Sequence, residues 1–277
     1  GLINGDIIPL DARSVSDIIQ RGGTMLYTAR CAEFRYEEGL QKAKKTCEEN
    51  GIEGLVVVGG DGSFRGAADL SARGILSIGV PGTIDNDISM TEYTIGYDTA
   101  MNTVVEMVDK LRDTAQSHDR CSVVEVMGRN AGYIALNAGI ACGATYIITK
   151  EEPYTVNDVI SKIIKGQKSG KHHFIIIVAE GIGGSEQLAK EIEQATGVES
   201  RATILGHVQR GGSPSLRDRL LAARFGVKAI ECLIAGKKAV AVGVRNEEIV
   251  ADDLQKALAY PAADRSELFK VCEILCR

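Results

Sequence analysis

The sequence has no long apolar run, no excess of positive charge and no Cys-x-x-Cys pair. Without a stretch of roughly 20 apolar residues it offers no candidate membrane span. A formal net charge of -5 argues against a general nucleic-acid or membrane-surface role, so any anion must be bound by a local cluster of arginine and lysine. The seven cysteines are irregularly spaced, and Cys272 and Cys276 have no histidine pair nearby. Structural zinc is therefore not expected, and a reducing cytosol is favoured.

What the chain does contain is ordinary for a folded protein. Its 277 residues are 44% hydrophobic and 25% charged, enough to bury one large core or two smaller ones. The start at Gly1-Leu2-Ile3 has neither an initiating Met nor a charged leader region, so we expect the chain to begin in mid-protein.

Short apolar runs alternate with helical periodicities along the chain. This alternation predicts an α/β protein with mostly parallel sheets and helices on both faces. The predicted strands lie at 55–58, 74–80, 121–127, 146–149, 174–179, from 201 into a loop, and at 239–244, the last strand. The predicted helices lie at 11–21, 37–50, 99–114, 156–164, 189–196, 216–235 and 252–259. A further helix runs through 67–70, and another ends at 143.

Two loops follow consecutive predicted strands. The first strand breaks into Gly59-Gly60-Asp61-Gly62-Ser63 before a helix, a turn that lets backbone N–H groups approach a phosphate and places Asp61 to hold a hard cation. A glycine-rich turn of this kind is also often only a tight turn. The second strand ends at Pro81 and continues into the acidic loop Pro81–Asp87. Both loops open on the carboxyl edge of an open sheet, where ligands bind.

Charged side chains follow three further elements. Glu180 ends a buried strand and fits either a substrate-hydroxyl acceptor or a plain cap. His207 stands between Arg201 and Arg210, a cationic group suited to a phosphate. Arg30 precedes a helix in a loop, where an arginine is more often solvated than ligand-bound.

Four segments resemble the signature motifs of the 6-phosphofructokinase family: Gly59–Ser63, Pro81–Asp87, Val126–Arg129 and Leu205–Gly212. They occur in the family's order, and the likeness covers nearly the whole chain. The resemblance implies ATP-dependent, Mg²⁺-requiring phosphorylation of fructose 6-phosphate at its 1-hydroxyl, a committed step of glycolysis. It also implies two Rossmann-like layered domains with the active site in the cleft between them. We expect a nucleotide domain at 1–115, a sugar-phosphate domain at 116–277 with a C-terminal return, and a homotetramer.

The resemblance also assigns roles to individual residues. Asp85 matches the base that takes the hydroxyl proton, Thr83 and Arg129 stabilise the moving phosphoryl group, Asp61 holds Mg²⁺ and Asp87 orients the loop. The positions that match nucleotide contacts are Arg30, Cys31, Gly60, Asp61, Gly62 and Ser63. The positions that match substrate contacts, besides Thr83 and Asp85, are Met127, Gly128, Arg129 and Glu180 for the sugar and Arg120, Arg201, His207 and Arg210 for its 6-phosphate, with Arg120 and Arg201 reaching across a subunit interface.

The family's second anion site, for effectors, matches Arg112, Gly143, Thr145 and Lys171 with two departures. Thr145 stands where an acid is typical, and Ser169 replaces a lysine. Losing both charges should reduce the difference in effector affinity between quaternary states, so we expect weak or absent activation by ADP. Compensation by the neighbouring histidines at 172 and 173 is the alternative.

Three rival functions are weighed against this one. A pyrophosphate-using relative typically carries aspartate at position 62 and lysine at 82, where this chain has Gly62 and Gly82. A lipid or NAD kinase shares the Gly-Gly-Asp-Gly turn but lacks the Pro81–Asp87 loop. An inactive or regulatory fragment is the third, because the family's first strand and first glycine-rich loop have no counterpart before Asp11. Such a loss would leave a strand edge exposed and the chain poorly soluble or partly unfolded.

Overall fold

The structure is a computed structural model that describes residues 1–262 and 264–275. Helices and strands alternate through most of it. In chain order the elements are a 3-10 helix (Glu33–Arg35), α1 (Glu37–Glu49), β1 (Gly54–Gly59), α2 (Asp61–Ala72), β2 (Leu76–Pro81), α3 (Tyr97–Ser117), β3 (Cys121–Val126), α4 (Tyr133–Ala141), β4 (Tyr146–Ile148), α5 (Val156–Lys168), β5 (Phe174–Ala179), α6 (Ser185–Thr196), β6 (Ser200–Ile204), a second 3-10 helix (Gly206–Arg210), α7 (Leu216–Ile234), β7 (Val240–Arg245), β8 (Glu248–Asp253), α8 (Leu254–Ala259) and α9 (Ser266–Leu275).

The chain forms two compact units, and it crosses between them more than once. The first unit comprises Gly1–Thr83, Asp87–Gly96 and the stretch that begins at Ser213. The second comprises Ile84–Asn86, Tyr97–Gly212 and the stretch that begins at Asp264.

The domain boundary expected near Ala115 is therefore corrected to Gly96–Tyr97, because α3 belongs wholly to the second unit. Tyr97, at its start, is 1% exposed, and its hydroxyl donates to the carbonyl of Tyr133 on α4 at 3.1 Å. The chain returns to the first unit at Ser213, earlier than the return expected near the C-terminus.

The sheet of the first unit has the order β1-β2-β7-β8. The first three strands are parallel, and β8 pairs antiparallel with β7. One face is covered by α7, whose Leu221, Phe225 and Ala229 pack against Ile78 and Val242. On the other face, Phe64 of α2 and Leu254 of α8 pack together in a second core. Helices on both faces of a mostly parallel sheet are the predicted architecture.

The sheet of the second unit has the order β4-β5-β3-β6 and is parallel throughout. All six residues of β5 are buried, as a strand covered on both faces requires. Its core gathers Val123, Phe174 and Ile176 with Ile163 of α5 and Ile192 of α6. The N-terminus of α5 carries a capping box between Thr155 and Asp158, which satisfies two otherwise unpaired backbone donors.

Three local predictions differ from the structure. Residues 11–21 form turns and no helix, because Val15 and Ile19 remain 50% and 61% exposed and Asp17 has a positive φ of 55°. The strand β8 was not predicted, nor was α9. A two-residue turn of Asn246 and Glu247, with φ of 48° and 63°, turns β7 back into β8.

Within the described residues, no helix is long and apolar enough to cross a membrane.

The outer strand β1 is covered unevenly. It pairs with β2 along one edge, and no strand among the described residues pairs with its other edge. Val58 lies beside Val80 in the register and therefore on the same sheet face, yet Val58 is 52% exposed and Val80 only 3%. The packing of α7 accounts for the difference, since it covers β2 and leaves β1 open on this face.

The difference in burial predicts that the same valine-to-threonine substitution destabilises the protein by different amounts at the two positions. Val80→Thr should lower the free energy of unfolding by about 1–3 kcal/mol, because it buries a hydroxyl in an apolar core. Val58→Thr should change it by less than about 0.5 kcal/mol. Urea unfolding followed by circular dichroism measures both, and equal losses would contradict the assignment of Val58 to an open face.

Candidate active site

The glycine turn after β1 is close-packed and runs directly into α2. Gly60 is the N-cap of α2, and its carbonyl accepts from the N–H groups of Ser63 and Phe64 at 3.0 and 3.1 Å. A Cβ on Gly59 would stand 2.3 Å from the Ser63 Oγ, so that position admits only glycine without a local shift. A Cβ on Gly62 would meet nothing within 4 Å. The turn is thus tight on its inner side and open at Gly62, with a helix N-terminus behind it.

Asp61, the acidic residue of this turn, is engaged by Arg65 one helical turn away. The guanidinium donates from Nε and Nη2 to the two carboxylate oxygens at 2.8 and 2.9 Å. This hydrogen bonding raises the pKa of Arg65. The pair is exposed, 62% for Arg65 and 40% for Asp61, so it contributes little stability and each oxygen keeps a lone pair for another ligand.

The donor set at Asp61 therefore fits Mg²⁺, which is usually held by one or two carboxylates together with substrate phosphates. Within residues 1–262 and 264–275, no group of three or more His, Cys, Asp or Glu forms a metal site by itself. Cys276, weighed above as a zinc ligand, lies outside the described residues.

The second loop lies directly against the first. The Gly82 N–H donates to the Gly59 carbonyl at 3.0 Å. Gly60 lies beside Thr83, because a Cβ added to Gly60 would be 3.5 Å from the Thr83 Cβ. A Cβ on Gly82 would approach Val58 Cγ1 to 2.8 Å. The Thr94 hydroxyl donates to the Thr83 carbonyl at 2.5 Å. These contacts place Thr83 next to the glycine turn, as expected for two loops at the carboxyl edge of one sheet.

The acidic part of the second loop is buried. Asp85 is 8% exposed and Asn86 3% exposed, and Asn86 adopts a left-handed backbone with φ of 51°. Thr83 and Asp87 belong to the first unit, whereas Ile84–Asn86 belongs to the second. The loop thus passes from one unit to the other and back within five residues.

Arg30 and Cys31 are exposed residues of an irregular stretch before the first 3-10 helix. Phe34 fixes this stretch, since a Cβ on Gly66 of α2 would be 3.3 Å from its ring. Among the described residues, no hydrogen bond or ion pair joins Arg30 or Cys31 to the glycine turn.

A second group of predicted residues meets at the carboxyl ends of β3 and β5. Glu180 Oε1 accepts from the backbone N–H groups of Gly128 and Arg129 at 3.2 and 2.5 Å. Gly128 has a φ of 142°, which glycine adopts readily, and Arg129 has a φ of 56°, which is strained for a residue with a side chain; the carboxylate thus holds a loop with one strained residue. Glu180 thus accepts backbone hydrogens from the loop after β3, and the Arg129 side chain is exposed.

Gln209 is a residue that the sequence interpretation missed. It is 1% exposed, and its side-chain Oε1 accepts from the Met127 N–H at 2.8 Å. It thereby ties the 3-10 helix that carries His207 and Arg210 to the loop after β3. The only signal in the sequence was its place between His207 and Arg210. Because fully buried amide side chains are rare, its burial indicates a structural role.

The four cationic side chains do not form one group within the chain. His207 and Arg210 are exposed on the 3-10 helix that follows β6. Arg120 precedes β3, and Arg201 pairs in register with Ser122 near the opposite end of that strand. The predicted cluster of Arg201 with His207 and Arg210 is therefore wrong within one chain, because β6 runs between them.

Arg120 and Arg201 instead share one carboxylate. Arg120 Nε donates to Glu199 Oε2 at 2.8 Å, and Arg201 donates to Glu199 Oε1 at 3.1 and 2.7 Å. Hydrogen bonds from Arg120 and then Arg201 lower the pKa of Glu199. The result is a net positive, solvent-accessible pair of guanidiniums at the amino ends of the strands.

The four predicted effector residues lie together in the second unit. The Arg112 guanidinium donates to the carbonyl of Cys142, next to Gly143, which has φ of 60°. Lys171 Nζ donates to the Thr145 hydroxyl at 3.0 Å. Burial, with Lys171 and Arg112 nearby, lowers the pKa of His173. The cluster is thus rich in positive charge, and a hydroxyl stands where a carboxylate is typical of the family.

Known proteins resemble this chain over its full length. The family model described as Phosphofructokinase matches residues 1–233. An ATP-dependent 6-phosphofructokinase from Clostridium botulinum (strain Loch Maree / Type A3) is 54% identical over 277 residues, which is 100% of this chain and 87% of that protein. One from Clostridium acetobutylicum is 52% identical over the same shares of both chains.

Solved structures give the same picture. Phosphofructokinase from Saccharomyces cerevisiae matches with a TM-score of 0.84 and 32% identity over 99% of this chain and 42% of that one. The Pichia pastoris phosphofructokinase in the T-state matches with a TM-score of 0.88 and 31% identity. This match covers 99% of this chain and 34% of the Pichia chain. This chain thus spans less than half of either yeast chain. Because the family model and relatives above half identity cover most or all of it, this chain belongs to the phosphofructokinase family.

Proposed function

We propose that this chain catalyses ATP-dependent phosphorylation of fructose 6-phosphate at the 1-hydroxyl, giving fructose 1,6-bisphosphate and ADP, as a step of glycolysis in the cytoplasm. The observation that carries the proposal is the packing of the Gly59–Ser63 turn against Thr83 of the second loop, through a 3.0 Å backbone hydrogen bond between Gly82 and Gly59. Two backbone loops held this closely offer N–H groups to a chain of phosphates rather than room for a bulky apolar ligand.

On the nucleotide side, Gly60, Gly62 and Ser63 bind phosphate oxygens, and the N-terminus of α2 favours their negative charge. Arg30 and Cys31 add contacts from the stretch anchored by Phe34. Gly62 has open space in front of it, which suits the α-phosphate and nucleoside of ATP. Asp61 would hold Mg²⁺, which when bound screens the phosphate charges.

The transfer itself needs a base and a positive environment. Asp85 accepts the proton of the 1-hydroxyl while that oxygen attacks the γ-phosphorus and the bond to ADP breaks. Thr83 and the exposed guanidinium of Arg129 stabilise the charge on the moving phosphoryl group, and Asp87 orients the loop. The backbone of Arg129 has a positive φ and is held by its hydrogen bond to Glu180, which leaves the side chain exposed.

On the sugar side, the loop Met127-Gly128-Arg129 and Glu180 contact the substrate, while His207 and Arg210 bind its 6-phosphate. The buried Gln209 fixes the relation of these two groups. Arg120 and Arg201 serve the 6-phosphate site of a neighbouring subunit in a homotetramer. Their position at the far end of β3 and β6 from His207 supports this arrangement, because they cannot serve both ends of one strand.

A coupled assay with purified protein tests the proposal: fructose 6-phosphate, ATP and Mg²⁺ should yield fructose 1,6-bisphosphate and ADP in equal amounts. No product above a protein-free blank, with a folded sample by circular dichroism, would contradict it.

Substituting the base should slow the chemical step selectively. Asp85→Asn should lower kcat by about 10²-fold to 10⁴-fold, the range for a positioned acid or base, with a much smaller change in KM. The shape of the residue is kept, so its burial is not disturbed. Asp69→Asn, at a position on α2 outside the proposed site, is the matched control and should behave as the parent does. Near-normal turnover in Asp85→Asn would remove Asp85 as the base.

The phosphoryl donor should be ATP, with little use of pyrophosphate. Gly62→Asp should raise KM for ATP by about tenfold or more, because a carboxylate then faces a phosphate at the open side of the turn. Gly62→Ala is the control, since its Cβ meets nothing within 4 Å. Equal turnover of the parent with pyrophosphate and with ATP would overturn the assignment.

Regulation by ADP should be weak or absent, because Thr145 and Ser169 lack the charges expected of the effector site. The measurement is a fructose 6-phosphate saturation curve with and without ADP and phosphoenolpyruvate at fixed ATP. Thr145→Glu with Ser169→Lys should increase any response, since a carboxylate would then lie near Lys171 and Arg112. A large ADP-driven shift of the half-saturation point in the parent would contradict this prediction and would indicate that the histidines at 172 and 173 compensate.

A further inference from the structure

Strand β2 parts from its neighbour β7 before its own carboxyl end. The two strands pair at Ile78 with Val240 and at Gly79 with Ala241. The backbone that follows, at residues 81–83, leads into the acidic loop and still carries carbonyl groups that need hydrogen-bond donors. Another segment of the chain supplies these donors.

Residues 91–96, which we call the brace, take the place of β7 beside the end of β2. Within the brace, Ile95 forms a parallel bridge with Gly82, and its N–H donates to the Pro81 carbonyl at 2.9 Å. The Pro81 carbonyl and the Gly82 N–H belong to one peptide group and point in opposite directions. Because the Gly82 N–H bonds to Gly59, the glycine turn and the brace hold this peptide group from its two sides.

The brace reaches one residue further through a side chain. Thr94 is 0% exposed, and its hydroxyl donates to the Thr83 carbonyl at 2.5 Å. This bond fixes the backbone of Thr83 at the point where the loop leaves the first unit.

The brace is itself anchored at both ends. At its start, the Thr91 hydroxyl accepts from the Val244 N–H at 2.9 Å, and the Glu92 N–H donates to the Val244 carbonyl at 3.0 Å, which ties the brace to β7. At its end, the Gly96 N–H donates at 2.9 Å to the carboxylate of Asp218, a residue of α7 that is 1% exposed. Thr94 therefore acts from a segment that is held by a strand and a helix.

We infer that Thr94 is a positioning residue for phosphoryl transfer, an inference that rests on the proposed function. The Thr83 side chain stabilises the moving phosphoryl group in that proposal, and Asp85 follows it by two residues. Thr94 is fully buried, so it acts through the Thr83 backbone and does not touch the substrate. Because a displacement of about 1 Å can lower a rate about 10²-fold, loss of this bond should affect turnover more than substrate binding.

Removing the Thr94 hydroxyl while keeping the shape of the side chain tests the inference. Thr94→Val should lower kcat for fructose 6-phosphate phosphorylation about tenfold, with KM for either substrate changed less than about threefold. Thr94→Ser keeps the hydroxyl, and its kcat should stay within about threefold of the parent value.

Thr91→Val is the matched control, because it removes a buried hydroxyl of the same brace that bonds to β7 and not to the loop. Its thermal stability, followed by circular dichroism, should fall by about as much as that of Thr94→Val, whereas its kcat should not fall. A kcat of Thr94→Val within about threefold of the parent would overturn the inference, and so would equal losses of kcat in the two valine variants.

Hydrogen exchange followed by mass spectrometry gives a second measurement that does not depend on activity. The amides of residues 82–87 should exchange faster in Thr94→Val than in Thr94→Ser or Thr91→Val, because their backbone has lost one of its hydrogen bonds. Exchange at the parent's rate in Thr94→Val would refute the role of Thr94 in holding the loop. A folded parent that forms no fructose 1,6-bisphosphate would instead refute the proposed function, and with it a role in phosphoryl transfer, even where the exchange shows that Thr94 holds the loop.

Discussion

The contact on which the candidate site depends is the close approach of two backbone loops at the carboxyl ends of β1 and β2. Parallel pairing of the two strands, from Gly54 beside Leu76 to Gly59 beside Pro81, brings the loops to the same sheet edge. The Gly82 N–H bond to Gly59 then continues the ladder by one step past the strands. The absence of a side chain at Gly82 is what allows this approach, since a Cβ there would stand 2.8 Å from Val58 Cγ1, whereas a Cβ at Gly59 would collide with Ser63 of its own turn.

In the second unit, side chains rather than glycines fix the position of the corresponding loop. Its loop after β3 is held by side chains: Glu180 accepts two backbone hydrogens, and Gln209 accepts a third from Met127. A carboxylate and an amide thus fix a loop in which Arg129 has an unfavourable positive φ. One unit therefore brings two loops together by omitting side chains, and the other anchors the backbone around an exposed arginine.

Much of this was predictable from the sequence, because the elements that matter carry strong local signals. The strand β1 is a short valine run closed by glycines, β2 stops at a proline, and β5 is a continuous apolar run. The two loops were placed correctly beside each other by the rule that parallel strands open on one edge. The Glu180 interpretation remained open, because sequence does not show which donors a carboxylate meets.

Other features required the fold. The helix expected at 11–21 fails because its apolar side chains have no core to join, a tertiary effect that periodicity cannot detect. The β7–β8 turn uses Asn246-Glu247 in place of the usual glycine-containing pair, so the hairpin carried no turn signal. Arg201 was grouped with His207 by closeness in sequence, although a strand separates them.

The most direct test of the account is a double-mutant comparison at the contact between the two loops. Gly82→Ala puts a Cβ 2.8 Å from Val58 Cγ1, whereas Val58→Ala removes that atom from a side chain already 52% exposed. Steady-state kinetics with ATP and fructose 6-phosphate should show a loss of kcat/KM between about tenfold and 10²-fold for Gly82→Ala, because the loops are displaced. Val58→Ala should resemble the parent, and the double variant should regain most of the lost activity. A Gly82→Ala protein as active as the parent, or a double variant as impaired as Gly82→Ala, would contradict the claim that this contact builds the site.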